Sequence, residues 1–162
     1  MHTPPGTADS LKSIQETLPG FLFVDHIAIA VPSGELAGQV AAYQALGFTE
    51  LHREEIGGGD QVREVLLRIG EGPNLIQLIE PMTPESPVAR AIERNGGKGG
   101  LNHIGLRVRD IQAAFAHLKE KGFRILDPAP RPGSRGTTVF FLHPKALENA
   151  PFNVLIEVVE EP

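Results

Sequence analysis

Two stretches of this chain repeat one pattern 77 residues apart: 24–31 reads VDHIAIAV and 101–108 reads LNHIGLRV, each with histidine third. Internal duplication constrains a fold strongly, because two similar segments call for two similar modules packed together. The likeness continues beyond each stretch. Residues 33–48 (SGELAGQVAAYQALGF) and 109–123 (RDIQAAFAHLKEKGF) both carry helical spacing and both stop at Gly-Phe. Leu36, Val40 and Tyr43 lie on one helical face, as do Ile111, Phe115 and Leu118. Ser33 and Asp110 are the expected N-caps, and Gly47 and Gly122 suit the left-handed position past the helix end.

Three strand-like pieces complete each half: 48–55, 61–69 and 74–81 in the first, 123–127, 137–143 and 153–162 in the second. Each half therefore reads β-α-β-β-β. Between them, Ser86 as N-cap, Pro87 at N1 and Gly96 past the end define a linker helix. The expected organisation is α+β. A polar tail (1–19, with a short helix at 8–17) precedes a single domain at 20–162. That domain comprises two tandem modules, 20–82 and 101–162, joined by the linker 83–100, and their eight strands form a curved, partly closed sheet around a metal site.

Side chains alternate faces along a strand. His26 shares its face with Ala28 and Ala30, and His103 shares its face with Gly105. The small neighbours suggest open volume in front of each imidazole. The last strand of each half carries a second oddity: Gln77 lies between Leu75 and Ile79, and Glu157 between Leu155 and Val159. Burying either alone costs a few kcal/mol, on the order of 2–7. Two imidazoles and two oxygens related by the repeat satisfy one another around a divalent cation such as Zn, Co, Ni, Mn or Fe. The competing reading is a pair of ordinary core histidines, with Gln77 and Glu157 bonded to neighbouring chains or solvent.

Composition excludes several classes. The net charge of −5 with no basic run argues against nucleic acid as a partner. No segment approaches the ~20 apolar residues of a membrane span. The first residues lack a basic and apolar leader, so a cytoplasmic location is expected. With no cysteine, thiolate sites and disulfides are excluded.

The stretches VDHIAIAV, LHREE, NLIQLIEP, ESPVARAIERNGGKGGLNHIGLRV, FFLHPK and VLIEVVE together resemble the vicinal-oxygen-chelate (glyoxalase/bleomycin-resistance) superfamily and, within it, the methylmalonyl-CoA epimerase family. The resemblance runs over about residues 22–160. It implies metal ligands at His26, Gln77, His103 and Glu157, with Co²⁺ favoured and Zn²⁺, Mn²⁺ or Ni²⁺ as alternatives. It also implies catalytic bases at Glu64 and Glu157. They would epimerise (2R)/(2S)-methylmalonyl-CoA by removing and returning the C2 proton through a metal-chelated enolate. Read alone, Glu64 is a solvated strand carboxylate, although it shares its face with Val62 and Leu66. A homodimer is implied as well. Alternatives are a glyoxalase I-type lyase acting on a glutathione hemithioacetal, and a non-catalytic binder of the same architecture. Asn102 stands where the family often has a second histidine, and 146–153 is longer than expected. His52 reads as a surface residue and His117 as solvated. His143 either orients a loop or meets substrate, and Lys145 or a nearby arginine either faces CoA phosphates or, the preferred reading, is an exposed basic residue.

Overall fold

The computed structural model describes residues 18–147 and 149–162. The expected tail helix at 8–17 lies outside them. The first half holds β1 (Phe21–Ala30), α1 (Leu36–Leu46), β2 (Thr49–Ile56), β3 (Val62–Arg68) and β4 (Leu75–Pro81). The linker helix is α2 (Pro87–Arg94). The second half holds β5 (Gly100–Val108), α3 (Ile111–Glu120), β6 (Arg131–Pro132), β7 (Thr138–Leu142) and β8 (Leu155–Glu160). Hydrogen bonding orders the strands β2-β3-β4-β1-β5 in the first run and β8-β7-β6 in the second. The class is α+β, as expected. Two compact units are distinguishable: Val24–Gly105, and the flanking described residues 18–23 with Leu106–Pro162.

In the Val24–Gly105 unit, β1 and β4 are parallel, while β3 pairs antiparallel with both β2 and β4. The β-branched face of β1 does what its pattern predicts. Ile29 and Val31 pack with Leu36 and Val40 of α1 and with Val65, Leu67 and Leu78. The opposite face corrects an expectation. Ala28 and Ala30 leave no open volume, because Val88 and Ile92 of α2 pack against them with Val62 and Ile79. Small side chains here admit a helix at close approach. The linker helix is capped as its sequence requires: Ser86 Oγ accepts from Val88 N–H at 3.2 Å, and Pro87 stands at N1.

Helix α1 begins at Leu36, and the residue before it, Glu35, makes no side-chain cap, so Ser33 is not the N-cap. The acceptor comes from another strand. Buried Glu80, on β4, takes N–H bonds from Gly34 and Leu36 at 3.0 Å each through Oε2, and Arg63 bonds its Oε1 at 3.2 Å. A remote carboxylate thus fills the role that a local hydroxyl was expected to fill.

In the other unit the same device recurs. Asp110 caps α3 through Ala113 N–H at 3.1 Å, and Glu160 of β8 accepts from Ile111 N–H at 3.2 Å. Glu80 and Glu160 are 80 residues apart, the same offset as Gln77 and Glu157. Helix α3 buries Ile111, Ala114 and Leu118. His117 is half-buried rather than solvated. The expected strand 123–127 does not form; only Ile125 makes an isolated bridge, to Leu142. The segment is bonded to β7 and the turn after it only irregularly, Leu126 N–H to Phe141 O at 2.8 Å and His143 N–H to Arg124 O at 2.9 Å, and strand pairing resumes over Arg131–Pro132.

Candidate metal and acid–base site

Strands β1 and β5 bring His26 and His103 together. Their Nε2 atoms are 3.1 Å apart and the rings meet edge to face, with centroids 5.2 Å apart. Both side chains are buried. The far side of each ring fixes its tautomer. Asp25 Oδ2 lies 2.7 Å from His26 Nδ1, and Asn102 Oδ1 lies 2.7 Å from His103 Nδ1. A carboxylate and an amide carbonyl only accept, so each Nδ1 carries the hydrogen and each Nε2 is the nitrogen turned toward the other ring. Two ring nitrogens at this distance are bridged either by a shared proton or by a cation. Two imidazole nitrogens about 2.1 Å from one cation would be about 3.0 Å apart at a right angle and about 3.4 Å apart at the tetrahedral angle. The observed separation falls in that range.

The pair has a tight fit behind it. A methyl group added at Gly105 would lie 2.3 Å from His26 Cε1, 2.5 Å from Nδ1 and 2.7 Å from Nε2. Gly105 is small because the His26 ring rests on the β5 backbone there.

On β4, Gln77 stands level with Ala28 of β1, two residues along from His26. Its Nε2 donates to Glu64 Oε2. Its Oε1 is buried and has no hydrogen-bond partner among the described residues. An orphaned carbonyl oxygen of this kind is costly unless something charged meets it. The donor set of two facing imidazole nitrogens and an unpartnered amide oxygen fits a divalent cation.

Glu64 on β3 is fully buried, so its solitary reading as a solvated carboxylate does not hold. It sits directly across from Glu54 of β2. Two like charges opposite one another are unfavourable, and the His52 ring lies beside both carboxylates. His52 Nε2 is 3.2 Å from Glu54 Oε1 and 4.0 Å from Glu64 Oε1. His52 was expected at the surface, yet it is only 33% exposed and touches this buried cluster. Asp25 and Asn102 join the site by holding the two rings from behind. A signal was present, since in both halves the residue before the histidine can accept a hydrogen bond.

Glu157 lies in the other unit. It is buried on β8, level with Phe141 of β7. His143, half-buried, accepts at Nδ1 from Lys145 N–H at 2.9 Å and so shapes the turn after β7.

Residues 25–141 match the family model described as the Glyoxalase/Bleomycin resistance protein/Dioxygenase superfamily, and the chain belongs to that superfamily. An ethylmalonyl-CoA/methylmalonyl-CoA epimerase of Cereibacter sphaeroides is 37% identical over 124 residues, covering 75% of this chain and 88% of the relative. The mitochondrial methylmalonyl-CoA epimerase of Homo sapiens is 33% identical over 122 residues, covering 75% of this chain and 66% of that protein. A methylmalonyl-CoA epimerase solved with methylmalonyl-CoA and ammonium superposes with a TM-score of 0.76 at 34% identity, covering 87% of this chain and 95% of that one. Within the superfamily, the chain is a member of the methylmalonyl-CoA epimerase family. No described helix is long and apolar enough to cross a membrane.

Proposed function

We propose that the chain interconverts (2R)- and (2S)-methylmalonyl-CoA by removing the C2 proton from one face and returning a proton to the other. One observation carries this reading: two imidazole nitrogens facing each other at 3.1 Å share a unit with an orphaned glutamine oxygen and a buried carboxylate that the same glutamine holds. This pairs a cation site with a base. The Cereibacter and human relatives, and the superposed structure, are epimerases of such thioesters.

His26, Gln77, His103 and Glu157 would hold the cation. Glu157 is included because it occupies in its half the place Gln77 occupies in the first, and because it is a buried carboxylate. Two nitrogens and two oxygens suit Co²⁺, Zn²⁺, Mn²⁺ or Ni²⁺. When bound, the cation supplies Lewis acidity at the thioester and carboxylate oxygens, stabilising the charge that develops as C2 loses its proton. Asp25 and Asn102 keep the two imidazoles in their ligating tautomer. Gln77 orients the Glu64 carboxylate through its Nε2. Glu64 takes the proton on one face and Glu157 serves the other, the roles reversing with direction. For Glu157 to act as both ligand and base, one of its oxygens must stay off the cation, since coordination lowers carboxylate basicity. The reaction needs no redox step. Assembly as a homodimer belongs to the same reading, through the family.

Glu64→Gln tests the assignment. The variant should keep its metal yet lose about 10²–10⁴ in the rate of C2 hydrogen exchange with D₂O. Wild-type exchange rates from both epimers would remove Glu64 from the mechanism.

A further inference from the structure

A second cluster of ligand-type side chains lies in the Val24–Gly105 unit, on β2 and β3. His52, Glu54 and Glu64 each offer one ligand atom, and these atoms all lie within 4.8 Å of one another. None of the three belongs to the set His26, Gln77, His103 and Glu157. Strand geometry builds the cluster. His52 and Glu54 are two residues apart on β2, so they share a face with Ile56, which packs against Ala28, Val62 and Ile79. Register sets Glu54 opposite Glu64 and His52 opposite Leu66. One imidazole and two carboxylates are thereby gathered on one face of the β2–β3 pair.

The contacts are those of ligands around a common centre. His52 Nε2 is a buried atom that makes no hydrogen bond among the described residues, although Glu54 Oε1 is 3.2 Å away and Glu64 Oε1 4.0 Å away. Two ligand atoms about 2.1 Å from one cation are at most about 4.2 Å apart, so both separations fit a shared ion. Such an ion would also neutralise two carboxylates that face each other across the strands. The two oxygens of Glu64 have different neighbours: Oε2 accepts from Gln77 Nε2, and Oε1 is turned to His52. One imidazole and two carboxylates suit Zn²⁺ or Mn²⁺. His52 and Glu54 are each 33% exposed, which gives the ion a path from solvent and leaves room for water on it.

We infer that His52, Glu54 and Glu64 form a second divalent-cation site, and that filling it inhibits the enzyme. The inhibitory consequence rests on the proposed role of Glu64 as a base. With Oε2 on Gln77 and Oε1 on the ion, both oxygens of Glu64 are engaged and the carboxylate cannot turn to the C2 hydrogen. Excess cation therefore slows an enzyme that its first equivalent of cation activates.

The test starts from the full chain holding one equivalent of Zn²⁺ and adds more. Binding is read by competition with a chelating dye and by the ring-nitrogen shifts of His52, and turnover by C2 hydrogen exchange in D₂O. A second equivalent should bind and shift the His52 signals. With the same midpoint, exchange should fall by about 10²–10⁴, the effect of losing a general base. His52→Gln with Glu54→Gln should keep the first equivalent, which also shows that the variant is folded. Its affinity for the second should drop beyond the about 10–100-fold that loss of an outer partner brings, and its exchange rate should hold as Zn²⁺ rises. Wild-type protein that binds a single equivalent, or a second equivalent held as tightly by the double variant, would overturn the inference. A second ion that moves the His52 signals while exchange runs at full rate would overturn the inhibitory role. Absence of exchange at one equivalent refutes the activity reading, and the dye and ring-nitrogen data then decide the cation site by themselves.

Discussion

Gly105→Ala is the sharpest probe of the paired histidines. The new methyl would lie 2.3 Å from His26 Cε1, where carbon atoms ordinarily sit about 3.5–4.0 Å apart. The ring has to retreat by roughly 1.2 Å or more, because the contact on the other side is strand backbone rather than a flexible side chain. Metal–nitrogen distances tolerate about 0.2 Å, so the displacement is several times what a coordination site absorbs. Overpacking of this kind costs about 1–3 kcal/mol, a fall in Tm of roughly 2–12 °C for a chain of this size. The affinity for Co²⁺ or Zn²⁺ should fall at least 100-fold, beyond the about 10–100-fold that accompanies loss of a hydrogen-bond partner behind a ligand. Metal titration by calorimetry, beside circular dichroism to show that the variant is folded, measures both effects. A folded Gly105→Ala protein with wild-type metal affinity would refute the reasoning, since His26 could not then be a ligand in the position described.

The same geometry sets other outcomes. Asp25→Ala should cost about 10–100-fold in metal affinity and Asn102→Ala less, because a carboxylate makes the stronger, charge-assisted bond to Nδ1–H; competition with a chelating dye ranks them. Glu80→Ala strips the acceptor from two N–H groups at the start of α1 and from Arg63, and should lower the urea midpoint by an amount equivalent to about 1–3 kcal/mol while C2 exchange persists. Removing metal with a chelator should lower Tm by roughly 5–10 °C relative to protein held at about 100 times the metal's Kd, as read by scanning calorimetry.

The parts of this fold that obey local rules were legible in the sequence. Alternation placed β1 and β5, periodicity placed α1 and α3, and the Ser-Pro start and glycine stop placed α2. The duplication singled out the two histidines that the structure brings together. Failures came where the partner is remote in sequence. Nothing near Ser33 shows that Glu80, across the fold on β4, supplies the cap. The small residues beside the histidines were read as free space, but spacing alone does not reveal that α2 lies on Ala28 and Ala30, or that the His26 ring occupies the place of a Gly105 side chain. The segment 123–127 has the composition of a strand, but its bonds beside β7 reduce to one isolated bridge and a few irregular contacts, which composition does not reveal. His52 was misjudged because its importance comes from Glu64 on the neighbouring strand, and register across strands is a tertiary property.

The central claim is that a cation held by His26, Gln77, His103 and Glu157 activates a C2 hydrogen for removal on either face. Proton NMR of a single epimer of methylmalonyl-CoA in D₂O tests it directly, with enzyme that is metal-loaded, chelator-stripped, or stripped and reloaded. The account predicts C2 deuteration with loss of stereochemical purity in the first and third samples and neither change in the second. Full-rate exchange in the stripped sample, or no exchange in any of them, would contradict it.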